Sequence, residues 1–260
     1  MRAVVSCAAI GCITAVSAAN VQQQQQQRNA TAPRRHLGGR GRQCAGRVLI
    51  DLGANCGNTL HYLFKYRPEF RSFDKFYLWE LNPRLLRVYL ADLALADPRI
   101  EVVPHAAWIA DSTKTFYMDF RETDQSDAEF KATHPCDADS VVGRNPLGGT
   151  SVVQNGNGGA PFNVSALDFR RWFQLHGFDT APLCELVLKV DIEGAEYYLM
   201  PRLLRSGILC SMTEVMVEWH TRRTHQMPEP AWMRTVHDTF EAELRKTCPG
   251  RPAVRYEDWV

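Results

Sequence analysis

Arg47-Val48-Leu49-Ile50-Asp51-Leu52-Gly53-Ala54-Asn55-Cys56-Gly57-Asn58-Thr59 is the stretch on which the reading of the fold turns. Val48 to Leu52 is a short run of branched apolar residues, the pattern of a buried strand. Gly53 and Gly57 follow, where the backbone can turn tightly and approach a ligand closely. Leu60, Leu63 and Phe64 then recur at helical spacing until Pro68 stops the run. A helix entered this way points its N-terminus back at the glycine turn, as in nucleotide-binding loops. Glycine turns between strand and helix also serve purely structural roles, so the rest of the chain must decide between the two.

The alternation continues downstream. Residues 76–81 read as a second strand, and Pro83 opens a second helix to about Ala96, with Leu85, Leu86, Tyr89, Leu90 and Leu93 on one face. Residues 100–106 read as a third strand and 113–120 as half of a hairpin. Residues 121–161 are rich in Asp, Asn and Gly; a loop that long inside a domain is functional or disordered. A strand at 162–167 precedes Asp168, which is placed to cap a helix to about His176. A strongly apolar strand at 186–192, a helix at 194–205 ending at Gly207, a strand at 213–219, a helix at 230–246 and an edge strand at 254–256 complete the order. This order predicts an α/β fold over residues 47–260, doubly wound, with a mostly parallel sheet. Ligands of such sheets bind beyond the carboxyl ends of the strands, so polar residues just past each strand are the candidates.

Glu80 ends the second strand, 27 residues beyond Gly53, where an acid accepts hydrogen bonds from both hydroxyls of a ribose. Leu186-Val187-Leu188-Lys189-Val190-Asp191-Ile192-Glu193-Gly194-Ala195-Glu196 places four charges around one strand-to-helix junction. Glu193 and Glu196 suit the start of a helix, whose N–H groups favour carboxylates. Lys189 and Asp191 need another reason, since they alternate on one face of an apolar strand. His220 follows Val217-Glu218-Trp219 and should face the same rim. The first loop has no Gly-Lys-Ser/Thr ending, so it is not a P-loop, and it lacks the third glycine expected of a nicotinamide or flavin site.

The loop 51–57, the strand end at Glu80 and the segment 189–196 together resemble the FkbM family of S-adenosylmethionine-dependent methyltransferases, over roughly residues 47–220. The resemblance implies a Rossmann-like class I methyltransferase fold with S-adenosyl-L-methionine as cofactor. It implies that Asp51, Gly53, Asn55 and Gly57 line the methionine part and that Glu80 holds the ribose. Ala107, in His105-Ala106-Ala107-Trp108, would flank the adenine. The family mostly methylates hydroxyl oxygens of sugars and other small molecules. Cys56 departs from the small or polar residues usual in that loop and would put a modifiable thiol beside the cofactor. Removing a hydroxyl proton calls for a base; Asp191 is the first candidate, His220 the second, and Glu218 and Glu193 are weaker ones. Asp191, Glu193 and His220 are donor types for a divalent cation, but no spacing demands a metal and none is expected. The alternatives are a non-catalytic cofactor-binding module of the same fold and a nucleotide-dependent oxidoreductase.

The formal net charge of +1 over 260 residues hides a division. Residues 1–50 hold seven arginines and no acid, leaving twenty-three basic and twenty-nine acidic residues beyond them, a net of −6. An acidic body argues against nucleic acid and other polyanionic partners, and for a neutral small-molecule or glycan acceptor. Residues 1–19 carry a mildly apolar run closed by Val16-Ser17-Ala18 and read as a signal peptide. A weak membrane anchor or tether through residues 3–19, or an organelle transit peptide, are the alternatives. Residues 20–46, with the run Gln22–Gln27, read as a low-complexity linker. The secretory pathway, lumenal or secreted, is therefore the expected location. Of eight cysteines, cleavage would leave six, so one or two disulfides are expected, with pairing open. Asn29 and Asn163 begin glycosylation tripeptides, the second on an expected strand where access would be restricted.

Overall fold

The computed structural model describes residues 44–118, 125–137, 150–151, 161–220, 231–249 and 255–258. The expected leader, most of the linker, Asn29 and much of 121–161 lie outside the described residues.

β1 (Arg47–Leu52) is paired in parallel on both sides, with β2 (Lys75–Trp79) and β8 (Glu185–Val190). β3 (Ile100–Val103) extends the sheet beyond β2, and β9 (Glu214–Val217) and β10 (Arg255–Asp258) extend it beyond β8. The order β10-β9-β8-β1-β2-β3 is parallel throughout, the doubly wound arrangement expected. The order of connection reverses between β1 and β8, which puts the switch-point crevice at the carboxyl ends of these two strands.

Alternation of side chains puts two cores on the two faces. Ile50, Leu52, Trp79 and Leu188 face one side, where α5 (Phe169–Leu175), α6 (Glu196–Arg205) and α7 (Ala231–Thr247) supply Phe173, Leu203 and Phe240. Leu49, Phe76, Leu78 and Val187 face the other, against Leu60 and Leu63 of α1 (Asn58–Tyr66). The expected helix from Pro83 is helical throughout but not regular. α2 (Pro83–Leu85), capped by Asn82, runs through a π turn at Leu86–Leu90 into α3 (Ala91–Ala96).

The structure corrects the expected course in several places. The strand expected over 100–106 is two. It stops at Val103 because Pro104 has no N–H for the ladder, and β4 (Ala106–Trp108) belongs to a second sheet. That sheet has the order β4-β7-β5-β6, with β5 (Ser112–Met118), β6 (Thr150–Ser151) and β7 (Pro161–Asp168). β5 therefore pairs antiparallel with a distant strand rather than closing a tight hairpin. Asn163 lies exposed on β7, where its side chain accepts from Thr115, so access is not restricted. α4 (Asp127–Thr133), with a Ser126/Glu129 capping box, falls inside the stretch read as weakly structured. Asp168 caps α5 as expected, accepting from Arg171 N–H. α6 begins at Glu196 rather than 194, because Glu193 and Gly194 have positive φ of 56° and 99°, which a helix does not admit.

Among the described residues three disulfides form, not one or two: Cys44–Cys184, Cys56–Cys136 and Cys210–Cys248. Cys56 is thus no modifiable thiol; it ties the glycine loop to the chain that follows α4.

Gly53 has φ +85°, and a Cβ there would lie 1.7 Å from the carbonyl oxygen of Asp191. Gly207 has φ +76° with nothing within 4 Å. Gly207→Ala should cost about 1–2 kcal/mol, the penalty of a left-handed conformation alone. Gly53→Ala should cost more than about 4 kcal/mol, because two backbones must separate. Urea unfolding of the two variants checks the difference, and equal midpoints would contradict it.

Candidate functional site

Asp51 and Lys189 are register partners across β1 and β8, and both side chains are buried. Lys189 Nζ lies 3.2 Å from Asp51 Oδ1 and 3.1 Å from Asp191 Oδ2, and donates to the Gly53 carbonyl at 2.9 Å. A lysine on an apolar strand persists when carboxylates neutralise it. Burial alone would push its ammonium down; Asp191 and Asp51 outweigh that and hold it above its ordinary range. Burial pushes the Asp51 carboxyl up, with Lys189 opposing.

The glycine loop is stitched to the end of β2. Gly53 and Ala54 N–H both donate to the Trp79 carbonyl, at 3.0 and 2.8 Å. Asn55, at φ 51°, donates its N–H to Glu80 Oε2 at 2.9 Å. Glu80 Oε1 accepts from Leu81 and Asn82 N–H at 2.9 and 2.7 Å. Burial pushes this carboxyl up to about 7, the backbone donors opposing. A carboxylate offers about four acceptor positions, so one remains beyond these three for a ligand hydroxyl. Glu80, Asn55, Gly53 and Gly57 are therefore brought together around one strand-end loop. Asp51 lies beneath that loop with its carboxylate turned to Lys189. Ala107 sits in β4 as a buried member of the first core, in the same cluster as Leu52 and Trp79.

His220, just past β9, is the centre of a second cluster at the same edge. Its N–H donates to Glu196 Oε1 at 2.8 Å, and its Nδ1 lies 3.2 Å from that same oxygen. Its Nε2 has Glu193 Oε2 at 3.3 Å and Asp191 Oδ1 and Glu218 Oε1 at 3.5 Å. Burial alone would lower the ring; Glu196, Glu193 and Asp191 outweigh it and raise it to about 10. Asp191 joins the two clusters, one oxygen on Lys189 and the other toward His220. Asp191 and His220, the two catalytic candidates, are thus neighbours. Glu196, read as a helix-capping residue, instead holds the histidine. Its spacing of 24 residues from His220 carries no local signal for that contact.

No family model and no curated protein matches the chain. Among solved structures, the crystal structure of methyltransferase FkbM from Methylobacillus flagellatus is similar to it, with a TM-score of 0.38 and 12% identity. The match covers 73% of this chain and 37% of that one, so the chain spans little more than a third of that protein's length.

With cations removed by chelation, the raised His220 pKa makes a signed prediction. The folded state binds the proton more tightly than the unfolded chain, whose histidine titrates near 6.5. The stabilisation is fully present below 6.5 and is lost as pH rises through about 10. The melting-temperature advantage of the wild type over His220→Gln should shrink across that window. An advantage that grows with pH would contradict it.

Proposed function

We propose that this chain is an S-adenosylmethionine-dependent methyltransferase whose acceptor is a hydroxyl oxygen on a sugar, glycan or other small molecule. The observation that carries this reading is the Asn55–Glu80 hydrogen bond. It joins an acid at the end of β2 to a glycine loop at the end of β1, beside the switch point of a parallel sheet. Glu80 would hold a ribose hydroxyl at its one remaining acceptor position, and the backbone of Gly53, Asn55 and Gly57 would meet the methionine part. Asp51 supports the loop through Lys189, and Ala107 would back the adenine. Bound there, the cofactor supplies a methyl group on a positively charged sulfur.

The chain's own part is to align the acceptor, exclude water and hold its proton. Asp191 suits the last task, since it stands just past β8 with one carboxylate oxygen fixed by Lys189 and the other toward His220. With no cation bound, the acids around His220 hold it protonated, so it is a poor base at neutral pH and instead orients the carboxylates around it. The apolar leader and the three disulfides favour an oxidising compartment, and we place the protein in the secretory pathway. Among the described residues, no helix is long and apolar enough to cross a membrane.

One observation favours a second reading: the all-parallel strand order matches that of dinucleotide-binding folds. The missing third glycine speaks against it. Titration calorimetry of the full chain with S-adenosylmethionine and, separately, with NAD distinguishes them. S-adenosylmethionine should bind, and Glu80→Gln, checked for an intact melt, should weaken it about tenfold to a hundredfold, the effect of charge-assisted bonds of ~1.5–3 kcal/mol. No heat with S-adenosylmethionine removes the proposal. Heat without transfer to any hydroxyl acceptor supports a binding module instead.

A further inference from the structure

We propose that Asp191, Glu193 and His220 form a binding site for one divalent first-row transition cation at the carboxyl ends of β8 and β9, with Glu218 at its margin. Each of the three offers a ligand atom, and these atoms lie within 4.8 Å of one another. Acidic clusters are common, and the histidine sets this one apart. His220 is buried, and its Nε2 makes no hydrogen bond although three carboxylates converge on it. A charge-assisted N–H···O bond would draw a carboxylate to about 2.7–2.9 Å. The observed separations are 3.3–3.5 Å. Ligand atoms bound at about 2.0–2.2 Å to a common ion stand roughly 3.0–3.5 Å from their neighbours. The spacing of the histidine from its carboxylates is therefore that of ligands sharing an ion rather than of a hydrogen-bonded pair, and an ion would draw in the ligand atoms, which now spread over as much as 4.8 Å.

The surroundings are built for the same task. Glu196, fully buried, has one oxygen at His220 Nδ1 and accepts from Gly194 N–H with the other. A carboxylate on the remote nitrogen of a histidine fixes its tautomer and turns the other nitrogen's lone pair to a metal. Lys189 likewise holds Asp191 Oδ2, and Oδ1 of the same carboxylate faces His220 Nε2. One imidazole with two or three carboxylate oxygens is a mixed donor set, which suits Mn²⁺ or Zn²⁺ better than Ca²⁺. If the methyltransferase reading holds, an ion here would bind the acceptor hydroxyl and lower its pKa.

The test uses the full chain, stripped with a chelator and titrated with Mn²⁺ in the absence of S-adenosylmethionine, with free Mn²⁺ counted by electron paramagnetic resonance. One Mn²⁺ per chain is expected, with binding at least about tenfold weaker in Glu193→Gln and in His220→Ala. Glu241→Gln, on the exposed face of α7, should bind as the wild type does. If His220→Ala fails to fold, Glu193→Gln alone decides, since that side chain lies in a loop. No stoichiometric binding by the wild type, or equal binding by Glu193→Gln, overturns the proposal and leaves a cluster of an imidazolium with its acids. Because no cofactor is present, this outcome is independent of the calorimetry that tests the methyltransferase reading.

Discussion

A buried lysine ties the two strand ends on which the site is built. Lys189 sits on the central sheet with Asp51 beside it in register, Asp191 just beyond its own strand and the Gly53 carbonyl within hydrogen-bond reach. Taking an ammonium and a carboxylate out of water costs several kcal/mol per ion, and only close pairing offsets it. The arrangement is therefore binding in both directions: the lysine needs its acids, and the acids hold the loops that carry them. The closeness of the two segments follows, since Gly53 lies against the Asp191 carbonyl where no other side chain fits.

From this fixed crossing two polar clusters extend on either side. Toward β2, the glycine loop reaches Glu80 through the Asn55 N–H, and the Cys56–Cys136 disulfide ties the same loop to the chain beyond α4. Toward β9, the second oxygen of Asp191 faces the His220 ring. The left-handed turn at Glu193 and Gly194 delays α6, which places Glu196 in its first turn where it meets the histidine. The glycine loop and an acidic, histidine-centred cluster thus meet at one residue, Asp191, and share one support, Lys189.

Much of this was legible in the residues because it follows local rules. Continuous apolar runs marked β1, β8 and β9, and Asp168 and Gly207 marked helix ends. The end of β2 placed Glu80 beside the glycine loop. What escaped depends on contacts distant in sequence. The pairing of β5 with β7 joins segments some fifty residues apart, so hydrophobic alternation could mark each strand but not the second sheet. The disulfide partners are separated by 38 to 140 residues and carry no spacing signal. His220 faces the expected rim, yet its four carboxylate neighbours come from two different connections, so its raised pKa could not be read locally. Lys189 was noticed as anomalous on an apolar strand, and the structure supplies the reason.

The central claim, that the Lys189 ion cluster holds the strand ends together, is tested most directly by urea unfolding of Lys189→Met alone and with Asp51→Asn. The single variant leaves Asp51 buried without its cation and should lose about 3–5 kcal/mol of stability, much of it recovered when Asp51 is neutralised as well. A Lys189→Met protein as stable as the wild type, or a double variant no better than the single, would contradict the account.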